Sequence, residues 1–290
     1  MSTDPRTSPQ PAADDDRHAP VGTDAVGRPK VCQDRLPPGR TIQPYSIESV
    51  EGRTQAIMPK GKAWPTGSVL TVKFLGGTPA QRELAMTQAR WWTQTANLSF
   101  EQVTEGDADI RVTFDETDGA WSYVGTDNRE IPQEEPTMNL GFMDGGTAGH
   151  EFGHAIGMSH EHQNPRGGIE WNEAEVIRDL SGPPNNWDEE QIRHNVLRKY
   201  SADQVNGTRF DPESIMLYAF PASWTLNGIG TKANEELSET DRAFVASDVA
   251  YPGRTDGDGA EVGEGDGAGD GAGGRDGEEV RDGGGAGATC

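Results

Sequence analysis

A chain of 290 residues with 48 acidic against 25 basic side chains carries a formal net charge of −23. Phosphate binding needs clustered Lys and Arg, so this balance argues against nucleic acid and anionic membrane surfaces as partners. No apolar run approaches the length of a membrane span, and with only Cys32 and Cys290 there is no disulfide framework to organise a fold.

The two ends differ from the middle. Residues 1–30 are rich in Pro, Asp, Ser and Thr, and from Gly253 onward the chain is mostly Gly, Asp, Glu and Ala. Neither composition offers enough apolar area to offset chain entropy. The expected organisation is a disordered or pro-segment-like region over 1–49, one globular domain over 50–252, and a disordered acidic tail over 253–290. The tail's ten acids and three bases account for −7 and the first fifty residues' seven and six for −1, which leaves −15 on the central body. Met1 is followed by "STDPRTSPQP", without a basic region and an apolar stretch, so a cytoplasmic compartment is the default expectation and secretion the alternative. A monomer is expected.

In chain order, "VLTVKFL" (69–75) is β-rich and alternating, a first strand. A helix follows over 79–96, with Ala85, Ala89, Trp92 and Ala96 on one face. "LSFEQV" and "ADIRVTF" are the next strands. "GAWSYVG" (119–125) is an aromatic, β-branched strand suited to a sheet edge, and "TMNLGF" is a further short one. A helix opens near Thr147, a candidate N-cap. Beyond His162 the stretches 167–180, 186–200 and 238–251 have helical patterns separated by Gly, Pro and Asn. The order of elements implies a mixed α/β sheet followed by a helical, irregular C-terminal part.

The chemistry concentrates in "HEFGHAIGMSHEH", residues 150–162, which holds four of six histidines. His150 and His154 lie four apart, so a helix projects both imidazoles from one face. In the H-E-x-x-H arrangement two such histidines grip zinc while Glu151 reaches a metal-bound water. Gly157 stands where the helix must stop and turn at positive φ, and the returning chain can deliver His160 as a third ligand. Three histidines leave the fourth tetrahedral position open, the pattern of catalytic rather than structural zinc.

The extended pattern at 150–160 resembles the metzincin metallopeptidases. "SIMLY" (214–218) resembles their Met-turn, with Met216 beneath the histidines. Glu161 after the third histidine, and a Tyr two residues after the Met, are similar to the astacin subfamily. The resemblance implies an α+β, zincin/metzincin-like fold. That fold has a mixed, mostly parallel twisted sheet, an antiparallel edge strand and an active-site helix, with the cleft between about 50–157 and 158–252. It implies one catalytic Zn(2+) held by His150, His154 and His160, a protein or peptide substrate, and Glu151 as general base toward a zinc-bound water. It also implies that Tyr218 coordinates zinc at rest and swings to stabilise the transition state. Gly157, Met216 and Glu161 are structural at the site. The edge residues Trp121, Ser122, Tyr123 and Val124 are expected to pair with extended substrate.

The chain departs from astacins at Met158, where they have Phe, and at Asn164, where they have Arg; their disulfides are missing. In that family the Glu equivalent to Glu161 is tied to the mature N-terminus. His162 is expected outside the ligand set, His194 solvated on a charged helix, His18 in the tail, and Gln163 and Asn164 on the cleft wall. Cys32, in "RPKVCQDRLPP", loosely matches the thiol switch of matrixin pro-segments, with a plain thiol the stronger expectation. The alternative function is a zinc-holding zincin scaffold that recognises protein or glycan without cleaving it.

Overall fold

The computed structural model describes residues 31–40, 57–200 and 210–253, and the backbone of 205–206. Its centre is a six-stranded sheet. The strands are β1 (Gln33–Arg35), β3 (Val69–Phe74), β4 (Ser99–Val103), β5 (Ile110–Thr113), β6 (Ala120–Tyr123) and β7 (Met138–Leu140), ordered β1-β6-β7-β5-β3-β4. All neighbours are parallel except β6 and β7, whose register sets Ala120 against Leu140 and Ser122 against Met138. A two-stranded antiparallel pair, β2 (Met58–Pro59) with β8 (Val205–Asn206), lies apart from it.

The middle of the sheet follows from pattern. Leu70 and Val72 on β3, and Ile110 and Val112 on β5, are fully buried, as expected of parallel strands covered by helices. Helix α1 (Pro79–Thr93) starts at a capping box of Thr78 and Gln81 with Pro at its first position, and buries Ala85, Met86, Ala89 and Trp92. Helix α2 (Thr147–Ala155) packs against it. Gln88 holds the start of α2 from both sides, donating to the Gly145 carbonyl (2.7 Å) and accepting the Gly149 N–H (2.9 Å). The Trp92 indole donates to the Gly149 carbonyl at 2.7 Å. At the other end the Trp64 indole takes the Ala155 carbonyl (2.8 Å) and the Tyr251 hydroxyl takes that of Ile156. These groups satisfy carbonyls that a helix terminus leaves without partners.

The C-terminal part is less helical than its pattern suggests. Helix α3 covers only Glu173–Leu180, α4 only Glu189–Ile192, and α5 only Glu239–Val245; a π-helical turn, Arg193–Leu197, continues α4. Residues 167–172 leave the helix because Glu170 and Asn172 instead bond Leu226 and the Trp224 carbonyl, at 2.8 Å each. The helix at 147 is preceded by Gly146 as N-cap, not Thr147. A second apolar cluster joins Val176, Leu180, Ile192, Val196, Leu217, Phe220 and Trp224 with Val31 and Cys32. Cys32 is thus a free thiol only 8% exposed in a packed segment, where tail composition alone suggests an exposed one. None of the described helices is long and apolar enough to cross a membrane.

Candidate metal centre

His150 and His154 project from α2, and His160 returns from the loop after it. Gly157 has φ +102°, a backbone that L side chains rarely adopt, and a Cβ there would stand 3.3 Å from the Lys62 carbonyl. The turn brings the His154 Nε2 to 3.0 Å from both His150 Nε2 and His160 Nε2. The outer nitrogens fix two of the tautomers: His150 Nδ1 donates to the Ile215 carbonyl (2.8 Å) and His154 Nδ1 to that of Met158 (2.9 Å). Their Nε2 atoms are therefore lone pairs facing inward, the outer-shell arrangement of metal-binding histidines. Lone pairs converging this closely repel unless a cation lies among them, so the donor set fits a zinc ion. Burial lowers the imidazole pKa values, to about 3 for His150 and about 4 for His154, which keeps both in the neutral, ligating form.

Beneath the triad, Met216 meets α2 at Gly153, where a Cβ would fall 2.5 Å from the Met216 sulfur and 2.7 Å from Trp92 Cζ2. The turn itself is held by Asp241, which accepts from Ser214 Oγ (2.7 Å), the Ile215 N–H (2.9 Å) and the Ser238 N–H (3.1 Å). Through Ile215 this reaches the outer nitrogen of His150. The Glu161 N–H donates to the Met216 carbonyl at 2.9 Å, tying the third-ligand loop to the same turn. Glu161 is fully buried, with Oε1 accepting from Asn164 Nδ2 (2.9 Å) and the Asp211 N–H (3.0 Å). Burial first raises its pKa, to about 8.

Glu151 is fully buried, and neither carboxylate oxygen accepts a hydrogen bond from the N–H and O–H groups of the described residues. Burial raises its pKa. The Cys32 sulfur, a His150 ring nitrogen and a Glu151 oxygen lie within 4.8 Å of one another. Asp34 Oδ1 is 3.3 Å from His154 Nε2 and 3.2 Å from His160 Nδ1. Tyr218 is 5% exposed, its ring stacked on His162 at 4.4 Å, and its hydroxyl donates to the Cys32 carbonyl.

Trp121, Ser122 and Tyr123 form β6 with Val124 just beyond, and β1 pairs along them: Gln33 with Trp121, Asp34 with Ser122, Arg35 with Tyr123. The edge of the sheet is therefore β1, with β6 one strand in. His162 is not among the converging nitrogens; its Nε2 donates to the Asn195 carbonyl at 2.8 Å. Two expectations are corrected. His194 is half-buried, not solvated, because the π-turn aims it toward Asp34, and burial lowers its pKa. Gln163 and Asn164 are buried supports, not cleft wall: Gln163 Nε2 donates to the His194 carbonyl and Asn164 to Glu161. Sequence patterns missed Asp34, Asn195 and Asp241; only the Ser238–Asp241 capping box was a visible signal, and it marks a helix start.

Residues 56–242 match the astacin family, peptidase family M12A. The chain belongs to the astacin family. Against Tolloid-like protein 1 of Mus musculus it is 30% identical over 162 residues, 54% of this chain and 14% of that protein, so it spans about one-seventh of that relative's length. Two solved structures of myroilysin are similar. One is 38% identical with TM-score 0.64, covering 69% of this chain and all of the other; the second is 36% identical with TM-score 0.56, covering 79% and 96%. The family is zinc-dependent, and the three converging imidazoles form a group that could hold such an ion.

Proposed function

We propose that this astacin-family chain is a zinc metalloendopeptidase whose residues 31–36 hold it latent. The carrying observation is Glu151, a fully buried carboxyl group that accepts from no N–H or O–H group of the described residues and stands beside the Cys32 thiol and the His150 imidazole. Burying such a group is costly, and costly, strongly perturbed carboxyls cluster where chemistry uses them. His150, His154 and His160 would hold one zinc ion, which supplies Lewis acidity toward water and the substrate carbonyl. Glu151 takes the proton released as water attacks the peptide carbon and delivers it to the leaving amine. Tyr218 donates a hydrogen bond to the developing oxyanion, and its present partner is already a peptide carbonyl, that of Cys32. Glu161, Met216 and Gly157 keep the ligand loop in place. The substrate is protein or peptide, extended against Trp121, Ser122, Tyr123 and Val124.

The latent state follows from what occupies that strand. β1 takes the hydrogen-bonding edge of β6 that substrate needs, and a thiolate is a soft donor well suited to zinc, so Cys32 would fill the position required for water. Zinc-loaded full-length protein should cleave unfolded casein slowly, lose that activity with chelator or Glu151→Gln, and gain activity with Cys32→Ser. Folded, zinc-loaded protein from which residues 31–36 have been cleaved and removed, inert toward a broad peptide library, would end the peptidase reading. Unchanged activity on Cys32→Ser, with cleavage intact, would end the latch alone.

A further inference from the structure

An extended chain added to β6 turns every second residue's N–H and C=O toward β6 and the others away, whichever way it runs. In β1 the outward N–H is that of Asp34, and it donates to Asn195 Oδ1 at 2.8 Å in a buried contact. Asn195 is fixed independently of this partner. Its Nδ2 donates to the Gln191 carbonyl at 3.0 Å, its own carbonyl accepts from His162 Nε2 at 2.8 Å, and the residue is 1% exposed. It stands on the π-helical turn Arg193–Leu197, a geometry frequent at functional sites. The residue it binds also reaches the triad, through the Asp34 carboxylate.

We infer that Asn195 is a substrate-binding residue, accepting one backbone N–H from the wall facing β6, and that it makes one subsite reject proline and N-alkylated residues. This rests on the peptidase reading and adds a specificity rule to it. β6 grips one edge of the extended substrate and Asn195 the other. With Nδ2 committed to Gln191, the Oδ1 offered to the cleft is an acceptor with a set direction. A proline at that position supplies no N–H and leaves this acceptor unpaired.

The test uses the full chain with a sequence-specific protease site inserted in the exposed 38–40 turn, zinc-loaded and nicked. In a Glu151→Gln background the probe is a synthetic peptide of residues 31–40. Its counterpart has an ester oxygen in place of the Asp34 N–H. Loss of one hydrogen bond weakens binding about 2–10-fold. That loss is expected with Asn195 and with Asn195→Asp, which keeps an acceptor, and no loss is expected with Asn195→Ala. In a cleavage library with Glu151 restored, proline should be depleted at one position and readmitted by Asn195→Ala. An ester without effect on the unsubstituted cleft, or with the same effect on Asn195→Ala at equal zinc content, overturns the inference; the first arm holds even if Asn195→Ala does not fold. If the ester effect is present but nothing is cleaved, the peptidase reading fails and Asn195's backbone contact stands.

Discussion

Gly153→Ala sets two effects of opposite sign against each other. In a helix interior, alanine is favoured over glycine by about 1 kcal/mol, because glycine loses more backbone freedom on folding. At Gly153, however, the new Cβ would stand 2.5 Å from the Met216 sulfur and 2.7 Å from Trp92 Cζ2, where 3.4–4 Å is ordinary contact. Met216 can shift at the cost of moving the turn whose Ile215 carbonyl fixes His150. Trp92 cannot easily move, being fully buried and bonded through its indole to the neighbouring Gly149 carbonyl. Overpacking of this kind costs about 1–3 kcal/mol; with a rigid partner the upper half of that range applies. The net expectation is destabilisation by about 1–2 kcal/mol after the helix term is subtracted. For a folded body of this size that is a fall in Tm of roughly 2–8 °C. Denaturant unfolding of the chelator-treated protein measures it without the metal's contribution, and competition with a fluorescent chelator should show weaker zinc binding in parallel. Adding Met216→Ala should restore part of the loss, since neighbouring residues couple. Gly153→Ala protein as stable as the parent, with unchanged zinc affinity, would refute the assignment of Met216 as a close-packed support of the ligand helix.

Asp241→Ala removes the acceptor for Ser214 Oγ and two backbone N–H groups, so a loss of about 3 kcal/mol or more is expected in chemical denaturation, with weakened zinc affinity because the Ile215 carbonyl loses its support. His162→Phe should retain one zinc per chain by metal analysis and lose about 1 kcal/mol with the bond to the Asn195 carbonyl; loss of the metal would make His162 a ligand. Removing zinc should lower Tm in proportion to RT ln(1 + [Zn]/Kd), and titrating it back should raise Tm with added metal; a Tm insensitive to both would mean the triad binds no ion in the folded state.

What could be read from sequence was local. Ile110 and Val112 alternate, Ala85, Ala89 and Trp92 share a helix face, and the His150–His154–Gly157–His160 spacing encodes a helix, a turn and a return within eleven residues. The contacts that complete the site are not local. Asp34 and Asn195 are 161 positions apart, and nothing in "VCQDR" or "QIRHNVLRKY" marks either as a partner of the other. His194 and Asn195 sit among charges that read as a solvated helix, yet the π-turn rotates them inward. The stretch 167–180 carries helical periodicity, but Ile169–Asn172 is captured by pairing with residues 224–226, a tertiary bond pattern that outcompetes propensity. Asp241 looks like a helix cap and is one, while also serving the Met216 turn.

β1 also bears on how the protein behaves in concentrated solution. As the outermost strand it is only three residues long, and Arg35 lies over the Trp121 ring at 3.7 Å while its guanidinium bonds Asp118. A short strand carrying a cation is a poor template for another chain. Release of β1 would leave the backbone groups of Trp121–Tyr123 open as an aromatic sheet edge, the kind of surface that recruits further strands and seeds association. The activated form would then depend for its solubility on mutual repulsion among molecules whose central body carries −15, and should grow more prone to self-association as added salt shortens the reach of that charge.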